Sequence, residues 1–313
     1  MKVLIVGDVM VDSYIIGKVT RMSPEAPVPV VDVQSYDMRL GGAGNVALNV
    51  QAMGGIPILC SALGNDTEGT ELKSLLAAAG LTDRAILVSD KRKTTKKTRV
   101  IGNNHQLVRI DHEITLDLDT LDSFLLEQHF DRELEHVDVV VLQDYNKGVL
   151  HAANIPALIA RAIKAGKPIV VDPKRENFLA YKGATLFKPN LKELKEGLEL
   201  DSDFSVMDNV KAAVHSLHQQ LGSAITMVTM SERGVLVYTG TEEHTIPAHL
   251  RRIVDVSGAG DTVISVAAMC LAAGAPARVM AEISNLAGGL VCEETGVVPV
   301  NKDRLLEEAE KVI

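Results

Sequence analysis

The stretch that decides the fold is Asp255-Val256-Ser257-Gly258-Ala259-Gly260-Asp261-Thr262, and an apolar run from Val263 to Ala273 follows it directly. Glycines let backbone N–H groups converge without interference from a Cβ atom. A helix start leaves further N–H groups unpaired at the positive end of the helix dipole. The pattern therefore predicts an anion site, with Asp261 as a base beside it, as phosphoryl transfer to a hydroxyl group requires. An ordinary loop with an N-cap aspartate is the structural alternative.

Composition restricts the kind of protein that this chain can be. Its 313 residues are 46% hydrophobic, which suits one large α/β domain or two small ones. The net charge is −9 and tryptophan is absent, so we expect no nucleic-acid partner. The cysteines are far apart in apolar segments and are expected to be reduced and structural: Cys60, Cys270 and Cys292.

No targeting or membrane segment is expected. The first residues lead directly into the strand-like run Lys2–Gly7, which is too short for a signal peptide. No uninterrupted apolar run reaches the length that spans a bilayer. We therefore expect a soluble, cytoplasmic protein without a membrane partner.

Strand and helix patterns alternate along most of the chain. Six apolar runs are typical of buried parallel strands: Val3–Val6, Ile56–Ala62, Val137–Leu142, Pro168–Val171, Thr185–Phe187 and Ile225–Met230. Helical patterns lie between and after them: Asn45–Met53, Glu68–Ala79, Leu121–Leu134, Ile155–Ala165, Val206–Leu221, Ala259–Ala273, Ala277–Glu293 and Lys302–Val312. This alternation predicts an α/β fold with a doubly wound, mostly parallel sheet between helices.

Two regions interrupt the alternation and predict a small second sheet. Residues 13–35 contain two strand patterns, and residues 94–110 read as a hairpin that turns at Gly102-Asn103-Asn104. The predicted strands are Tyr14–Val19, Val28–Val33, Thr95–Ile101 and Gln106–Ile110. Because no linker or repeat is present, we treat residues 1–313 as one domain in which this sheet is a lid over the strand ends.

A second glycine turn, Gly41-Gly42-Ala43-Gly44-Asn45, precedes a helical pattern. Its spacing does not fit a dinucleotide fingerprint. The turn either serves a tight helix entry or lets the backbone approach a small ligand that the Asn45 amide contacts. Asp8 and Asp12 follow the first strand, where ligands of open α/β sheets bind. We assign Asp12 to sugar hydroxyls and leave Asp8 open between that role and capping a turn.

Two further motifs follow strands and suit a nucleotide with its metal ion. Asn190 and Glu193 lie three residues apart near a helix start and can face one Mg²⁺-bound water, with a capping box as the alternative. The second motif contains Ser231, Glu232 and Gly234. We expect it either to contact a ribose or phosphate or to form a plain β-turn. No P-loop or protein-kinase motif set occurs, so a nucleotide phosphate is placed on the Gly258–Gly260 turn.

Several cations are clustered in this acidic chain. One basic run contains Lys91, Arg92, Lys93, Lys96, Lys97 and Arg99. Such a run is usually a solvated face, but its position on the predicted lid would also suit a clamp for a phosphate. Lys147 and Lys174 follow strands at the same edge of the sheet, and lysine is an effective point charge for phosphate.

Together these motifs resemble the ribokinase-like (PfkB) carbohydrate kinases over essentially the whole chain. The matching order is Gly-Asp…Asp, Gly-Gly-Ala-Gly-Asn, Asn-x-x-Glu, Ser-Glu-x-Gly and Asp-x-Ser-Gly-Ala-Gly-Asp-Thr. The resemblance implies an ATP- and Mg²⁺-dependent sugar kinase with Asp261 as base and an oxyanion hole from the amides of Gly258, Ala259 and Gly260. It also implies Asp12, Gly42 and Asn45 on the sugar, Asn285 near the adenine, a K⁺ site near Asp255, and a homodimer paired through the lid.

More local runs resemble one branch of that family, the D-glycero-D-manno-heptose 7-phosphate kinases: Arg21–Val30, Lys97-x-Arg99, Gln106–Asp111, Asp144–Gly148 and Asp172–Lys174. This implies conversion of heptose 7-phosphate to heptose 1,7-bisphosphate for lipopolysaccharide core precursors. The candidates for the acceptor's phosphate are then Lys97, Arg99, Arg109, Lys147 and Lys174.

One further expectation and two alternatives concern the activity rather than the fold. Because the chain has no His-x-Gly-His motif of a nucleotidyltransferase, we expect the kinase step alone. A kinase of another sugar, sugar phosphate or nucleoside has the same motifs. A catalytically silent sugar-phosphate sensor on this fold is a further alternative, and Asp261 argues against it because a sensor needs no base.

Overall fold

The structure is a computed structural model that describes residues 1–249 and 251–311. Its strands are β1 (Lys2–Gly7), β2 (Val9–Met22), β3 (Pro29–Gly42), β4 (Ile56–Gly64), β5 (Ala85–Ser89), β6 (Thr95–Gly102), β7 (His105–His112), β8 (Val139–Gln143), β9 (Ile169–Asp172), β10 (Leu186–Phe187), β11 (Ile225–Thr229), β12 (Val235–Tyr238) and β13 (Glu243–Ile246). Its α-helices are α1 (Ala43–Ala52), α2 (Thr67–Ala78), α3 (Thr120–Leu134), α4 (Ile155–Lys164), α5 (Leu191–Gly197), α6 (Met207–Leu221), α7 (Ala259–Ala272), α8 (Ala277–Val291) and α9 (Lys302–Ala309).

The larger sheet has nine strands in the order β13-β12-β11-β10-β9-β8-β1-β4-β5. Neighbours from β11 to β5 are parallel, and β12 and β13 extend one edge in antiparallel pairing. Parallel neighbours need crossover connections, which the helices supply. The predicted doubly wound, mostly parallel sheet is confirmed.

Helices cover both faces of this sheet, and the core therefore lies on both sides of the central strands. Leu4 and Val6 of β1 belong to an apolar cluster with residues of α3, α4 and α6. Val3 and Ile5 point to the opposite face and join a cluster with α1, α2 and α7. All four side chains are fully buried, which explains why β1 reads as a continuous apolar run rather than an alternating one.

The smaller sheet, called the lid here, has the order β3-β2-β6-β7. β2 pairs with β6 in parallel, and the other two pairs are antiparallel. The turn between β6 and β7 consists of Asn103 and Asn104, whose φ angles are 51° and 64°. Positive φ at both positions is typical of a two-residue hairpin turn. The predicted hairpin at this position is confirmed.

The two faces of the lid differ in chemistry. Strand register places polar and charged side chains on one face, called the site face, which includes Asp12, Tyr14, Lys97 and Arg99. On this face, Arg39 of β3 donates to the carbonyls of Thr295 and Val297 (3.3 and 3.0 Å) beside the larger sheet. The opposite face, called the outer face, carries apolar side chains at Ile15, Tyr36, Val100, Val108 and Ile110.

Several predicted boundaries were wrong. β2 and β3 extend over residues 9–22 and 29–42, far beyond the predicted strands, because main-chain pairing continues through polar and glycine positions where the apolar alternation fades. β5, β12 and β13 were not predicted, and they are short strands at or next to the sheet edges. α9 ends at Ala309, and residue 312 of its predicted span lies outside the described residues.

No helix among residues 1–249 and 251–311 is long and apolar enough to cross a membrane.

Candidate active site

A glycine turn and a helix start lie at the centre of the candidate site. Gly258 precedes α7 with a φ of +81°, and a Cβ atom there would lie 2.9 Å from Asn45 Nδ2. Glycine avoids both the strained backbone and the clash. The Thr262 N–H donates to the Gly258 carbonyl (3.0 Å), as expected for a helix that begins at this turn. The start of α7 thus has the geometry of an anion-binding N-terminus.

Asp261 lies in the first turn of α7 and is only 5% exposed. Its carboxylate accepts hydrogen bonds from three side chains: Asn45 Nδ2 (2.8 Å), Gln143 Nε2 (3.2 Å) and the Tyr145 hydroxyl (2.6 Å). Burial raises the pKa of Asp261 to about 6, although the Tyr145 and Asn45 hydrogen bonds oppose this shift. At neutral pH the group is therefore ionised and close to its pKa, which suits a general base.

A buried ion pair lies next to this carboxylate. Lys188 Nζ is 3.2 Å from Asp172 Oδ1, and both side chains are almost entirely buried. A Cβ atom on Gly260 would lie 3.9 Å from Lys188 Nζ and from Asp172 Oδ2, so the pair faces the start of α7. Gln143 Nε2 connects the two carboxylates, at 3.2 Å from Asp172 and 3.2 Å from Asp261. The Lys188 charge is thus held beside the anion-binding turn.

Sequence reasoning did not select four residues of this centre: Gln143, Tyr145, Asp172 and Lys188. A signal was present, because Gln143 and Asp172 end β8 and β9, and Lys188 follows β10. These three strands are neighbours in the sheet, so their carboxyl ends meet at one edge. A polar residue at the end of an apolar strand was therefore informative once the strand order was known.

The two carboxylates after β1 have different surroundings. Asp8 accepts three N–H groups of the loop after β8, from Tyr145 (2.9 Å), Lys147 (3.2 Å) and Val149 (3.1 Å). Burial and the Asp144 charge raise the pKa of Asp8 to about 6. Asp8 therefore caps this loop. Asp12 is also buried and pairs with Arg99 on the site face of the lid, so it is not a solvated carboxylate.

The second glycine turn begins α1 beside Asp261. Gly42 has a φ of +58°, and a Cβ atom there would lie 2.4 Å from the Asp8 carbonyl oxygen. A tight helix entry thus accounts for this glycine. Asn45 is fully buried and donates to Asp261, so the structure joins the two glycine motifs through one hydrogen bond.

Each cation that was assigned to an acceptor phosphate is paired with a carboxylate. Glu113 accepts hydrogen bonds from both Lys97 and Lys147. Arg109 pairs with Asp111, which also lies 3.4 Å from Lys97 Nζ and so belongs to the same group. Two pairs are separate from it: Lys174 with Glu193, and Arg99 with Asp12. The structure therefore places these cations in three groups rather than in one clamp. Lys174 Nζ also lies 5.4 Å from the centre of the Tyr145 ring, close to the Asp261 centre.

Asn190 and Glu193 form the capping box of α5. Asn190 Oδ1 accepts the Glu193 N–H, and Glu193 Oε2 accepts the Asn190 N–H, both at 2.9 Å. The structural alternative for this motif is confirmed. Contact with a Mg²⁺-bound water stays a prediction.

The motif after β11 is a turn in the structure. Ser231 and Glu232 lie in a 3₁₀ segment, and Gly234 follows with a φ of +85°. A Cβ atom on Gly234 would lie 2.0 Å from the Ile246 carbonyl oxygen, so the turn itself requires glycine. Contact of these residues with a ribose or phosphate stays a prediction.

Two predicted residues lie on the C-terminal segments. Asn285 of α8 donates to the Pro247 carbonyl (2.9 Å). Asp255 accepts the N–H groups of Ser257 (2.9 Å) and Gly296 (3.0 Å), and thereby connects the turn before α7 to the 295–297 loop. No hydrogen bond found among the described residues joins Asn285 or Asp255 directly to Asp261.

Comparison with known proteins defines the class to which this site belongs. The sequence model of the family described as "pfkB family carbohydrate kinase" matches residues 1–304. The chain belongs to the pfkB family of carbohydrate kinases, and it is a phosphotransferase with an alcohol group as acceptor. The resemblance seen in the sequence is confirmed. Kinases of this type use ATP with a divalent metal ion.

Two relatives with similar sequences are longer than this chain. Bifunctional protein HldE of Caulobacter sp. (strain K31) is 42% identical over 97% of this chain and 62% of its own length. Bifunctional protein HldE of Coxiella burnetii (strain Dugway 5J108-111) is 40% identical with the same coverage. The chain thus spans only about 62% of the length of these relatives.

Solved structures confirm the predicted ribokinase-like fold. Phosphofructokinase-2 from Escherichia coli in complex with potassium superimposes with a TM-score of 0.81 at 19% identity, covering 99% of this chain and 98% of that one. Ribokinase from Arabidopsis thaliana complexed with ribose and ATP gives 0.73 at 16% identity, covering 98% of each chain. At these identities the similarity shows a shared fold.

Tyr145→Phe is expected to raise the pKa of Asp261, because the lost hydroxyl hydrogen bond stabilises the ionised carboxylate. The acid limb of the pH profile of kcat/KM should move upward by about one pH unit. Tyr181→Phe is the matched control, since the Tyr181 hydroxyl donates to a different buried carboxylate, Asp144 (2.7 Å). An unshifted limb in Tyr145→Phe, or an equal shift in the control, would contradict the prediction.

Gly258→Ala is expected to impair ATP use more than Gly54→Ala does. The two glycines have similar φ angles of +81° and +85°, so both substitutions introduce comparable backbone strain. Only the Gly258 Cβ atom would crowd Asn45 and the start of α7, whereas the Gly54 position has only Lys302 Nζ nearby, at 3.6 Å. The measurement is KM for ATP in the folded variants, which should rise more in Gly258→Ala than in Gly54→Ala. Equal values would argue against the anion-binding turn.

Proposed function

We propose that residues 1–313 form one kinase domain, covered by the lid, that transfers the γ-phosphoryl group of ATP to D-glycero-D-manno-heptose 7-phosphate and produces the 1,7-bisphosphate. The observation that carries the proposal is the buried, ionised Asp261 carboxylate at the N-terminus of α7, with Lys188 beside it. The use of ATP supports a cytoplasmic location. The choice of heptose rests on the resemblance of the local runs quoted above.

The acceptor hydroxyl loses its proton to Asp261 as its oxygen bonds to the γ-phosphorus, and the bond from that phosphorus to the bridging oxygen of ADP breaks. Asn45, Gln143 and Tyr145 hold the Asp261 carboxylate through the three hydrogen bonds described above. A base that is fixed in this way needs little rearrangement during proton transfer.

The start of α7 and Lys188 supply positive charge to the transferred group. Backbone amides of Gly258, Ala259 and Gly260 face developing negative charge in the proposed transition state, as oxyanion holes do. Lys188 is buried and opposes Gly260, so its ammonium group acts in a medium that screens charge less than water does. These two features concentrate positive partial charge at the turn in a chain whose net charge is −9.

The residues assigned to Mg²⁺ fit an indirect contact. When bound, Mg²⁺ neutralises charge on the phosphates of ATP. Both oxygens of the Glu193 carboxylate are engaged, one by Lys174 and one by the Asn190 N–H. Within the described residues no group of three or more His, Cys, Asp or Glu side chains forms a metal site, but Mg²⁺ in kinases usually takes few protein ligands. Asn190 and Glu193 would therefore hold it through water.

The residue assigned to K⁺ also fits an indirect role. Both oxygens of Asp255 accept N–H groups, from Ser257 and Gly296. The carboxylate therefore orders the 255–257 loop, and backbone carbonyl oxygens of this loop are the groups left to hold K⁺.

In the proposed complex, the acceptor lies between Asp261 and the site face of the lid. Asp12, Gly42 and Asn45 would contact its hydroxyl groups, and Asn285, Ser231, Glu232 and Gly234 would contact the nucleotide. Asp12 is buried and fixed by Arg99, which restricts it to one orientation.

An acceptor panel tests the proposed function. We expect heptose 7-phosphate to give the highest kcat/KM among heptose 7-phosphate, fructose 6-phosphate, ribose, fructose and nucleosides. Asp261→Asn should lower kcat by about 10²–10⁴-fold and leave ATP binding intact, because it removes the base but little volume. If a free sugar or nucleoside is the best substrate, the heptose assignment is wrong. If no acceptor promotes Asp261-dependent ATP consumption, the kinase proposal fails.

We further propose that the chain forms a homodimer through the outer face of the lid. Tyr36 is 73% exposed and Ile110 is 56% exposed, and register places them in one apolar surface with Ile15, Val100 and Val108. Contiguous exposed apolar surface of this kind is typical of an interface. The lid also has two edge strands, β3 and β7, that pairing would cover.

Ile110→Glu is expected to convert the dimer to a monomer, because a charge would be buried in the apolar interface. Ile163→Glu is the matched control, since Ile163 on α4 is 54% exposed but lies away from the lid. Light scattering at micromolar concentration gives the mass. A wild-type monomer, or dissociation by both variants, would contradict the lid interface without affecting the kinase assignment.

A further inference from the structure

Three charged side chains near the acceptor cleft share one contact. Glu113 follows β7, and its Oε2 atom is 2.8 Å from Lys97 Nζ while its Oε1 atom is 2.9 Å from Lys147 Nζ. The side chains are only 23%, 15% and 13% exposed, respectively. The Glu113 carboxylate therefore bridges two ammonium groups that are largely out of water.

The arrangement differs from an ordinary surface ion pair. Lys97 belongs to the lid, whereas Lys147 belongs to the loop after β8 of the larger sheet, so the cluster joins the two sheets. Long lysine side chains lose much conformational freedom when they are fixed in this way. Two like charges at one point are unfavourable unless an anion lies between them. The cluster thus has the composition of an anion subsite that already contains a carboxylate.

The cluster also lies at a suitable place relative to Asp261. Lys97 is the register partner of Asp12, so both lie on the site face of the lid. Lys147 is two residues from Tyr145, whose hydroxyl donates to Asp261. A sugar phosphate with its reacting hydroxyl at Asp261 and its ring beside Asp12 would thus have its phosphate near Lys97 and Lys147.

We propose that Glu113 and the phosphate of the acceptor compete for Lys97 and Lys147, and that this competition sets how tightly a phosphorylated acceptor binds. The inference rests on the proposed function, since it assumes an acceptor that already carries a phosphate. A phosphate dianion has more charge and more acceptor oxygens than a carboxylate, so it can displace Glu113. A neutral sugar cannot displace it.

The surroundings of Glu113 permit the exchange. It lies directly after the last residue of β7, and residues 113–119 before α3 form no helix or strand. Burial acts to raise the pKa of Glu113, but hydrogen bonds from Lys97 and Lys147 outweigh it and lower the pKa overall. Glu113 is therefore a charged competitor throughout the neutral pH range, at the edge of the cluster where its side chain can turn toward solvent.

Glu113→Gln tests the competition directly. Because the amide competes poorly for ammonium groups, we expect inorganic phosphate to bind at least about ten-fold more tightly in a calorimetric titration. KM for heptose 7-phosphate should fall similarly, with KM for ATP unchanged. Lys97→Ala and Lys147→Ala should each abolish the tighter phosphate binding when combined with Glu113→Gln.

Asp111→Asn is the matched control for net charge. It removes one negative charge two positions away, from a carboxylate that contacts Lys97 (3.4 Å) and Arg109 but does not bridge to Lys147. Phosphate binding should change little in this variant. An equal gain in Asp111→Asn would show a general charge effect and overturn the proposal. Unchanged or weaker phosphate binding in Glu113→Gln would also overturn it, because the carboxylate would then be only a structural support.

Glu113→Asp serves if the glutamine variant does not fold. Its shorter side chain keeps the charge but reaches only one of the two lysines, so phosphate should bind more tightly than in the wild-type protein and less tightly than in a folded glutamine variant. Equal or weaker binding than wild type would contradict the competition. Phosphate titration requires no turnover, so it gives its answer even if the panel finds another acceptor. If another phosphorylated acceptor is best, the heptose assignment fails and the titration still decides the competition at Glu113; if an acceptor without a phosphate is best, the competition with an acceptor phosphate is overturned as well.

Discussion

The carboxylate of Asp261 is kept out of water by the start of α1, the end of β8 and its own helix, and burial raises its pKa from 3.8 to about 6. A raised pKa means that folding opposes ionisation. The contribution of Asp261 therefore lowers the free energy of unfolding as the pH rises from about 4 to 6. The decrease reaches about 3 kcal/mol and stays constant above that range. Hydrogen bonds from Asn45 and Tyr145 keep the loss from being larger. Because these donors come from distant parts of the chain, the glycine turns and the sheet edge must all be in place to keep this one base charged.

The cations around Asp261 face a related constraint. The chain has a net charge of −9, so it repels phosphates at long range and must concentrate positive charge locally. Buried cations without partners would be costly, and the structure pairs them: Lys188 with Asp172, Lys174 with Glu193, Arg99 with Asp12, and Lys97 and Lys147 with Glu113. The carboxylates hold the cations in position and at the same time weaken the local positive field. A ligand of higher charge can therefore be distinguished from a neutral one, because only the former compensates for the loss of an existing pair.

Local patterns explain which features could be predicted from the sequence. The apolar run of β1 and the glycine turns at Gly42 and Gly258 are visible within a few residues, and they predicted the sheet and the start of α7. The pairing of Glu113 with Lys97 and Lys147 spans 16 and 34 positions, so no local pattern contains it. Gln143 and Lys188 were missed for the same reason, since their meeting depends on strand order. The sequence shows which cations the chain has, but it does not show which carboxylates lie beside them in the fold.

The pleat of the lid couples substrate binding to assembly. Successive side chains of a strand point to opposite faces, so the strands that carry Asp12 and Lys97 toward the cleft necessarily carry Ile15 and Val100 to the outer face. A shift of one residue in the pairing of β2 with β6 would exchange these sets, placing apolar side chains at the site and charges at the outer face. Both faces therefore select the same register. A dimer that buries the outer face would add to this selection, and it would stabilise the alignment of Lys97 with Asp12 without any contact to the acceptor.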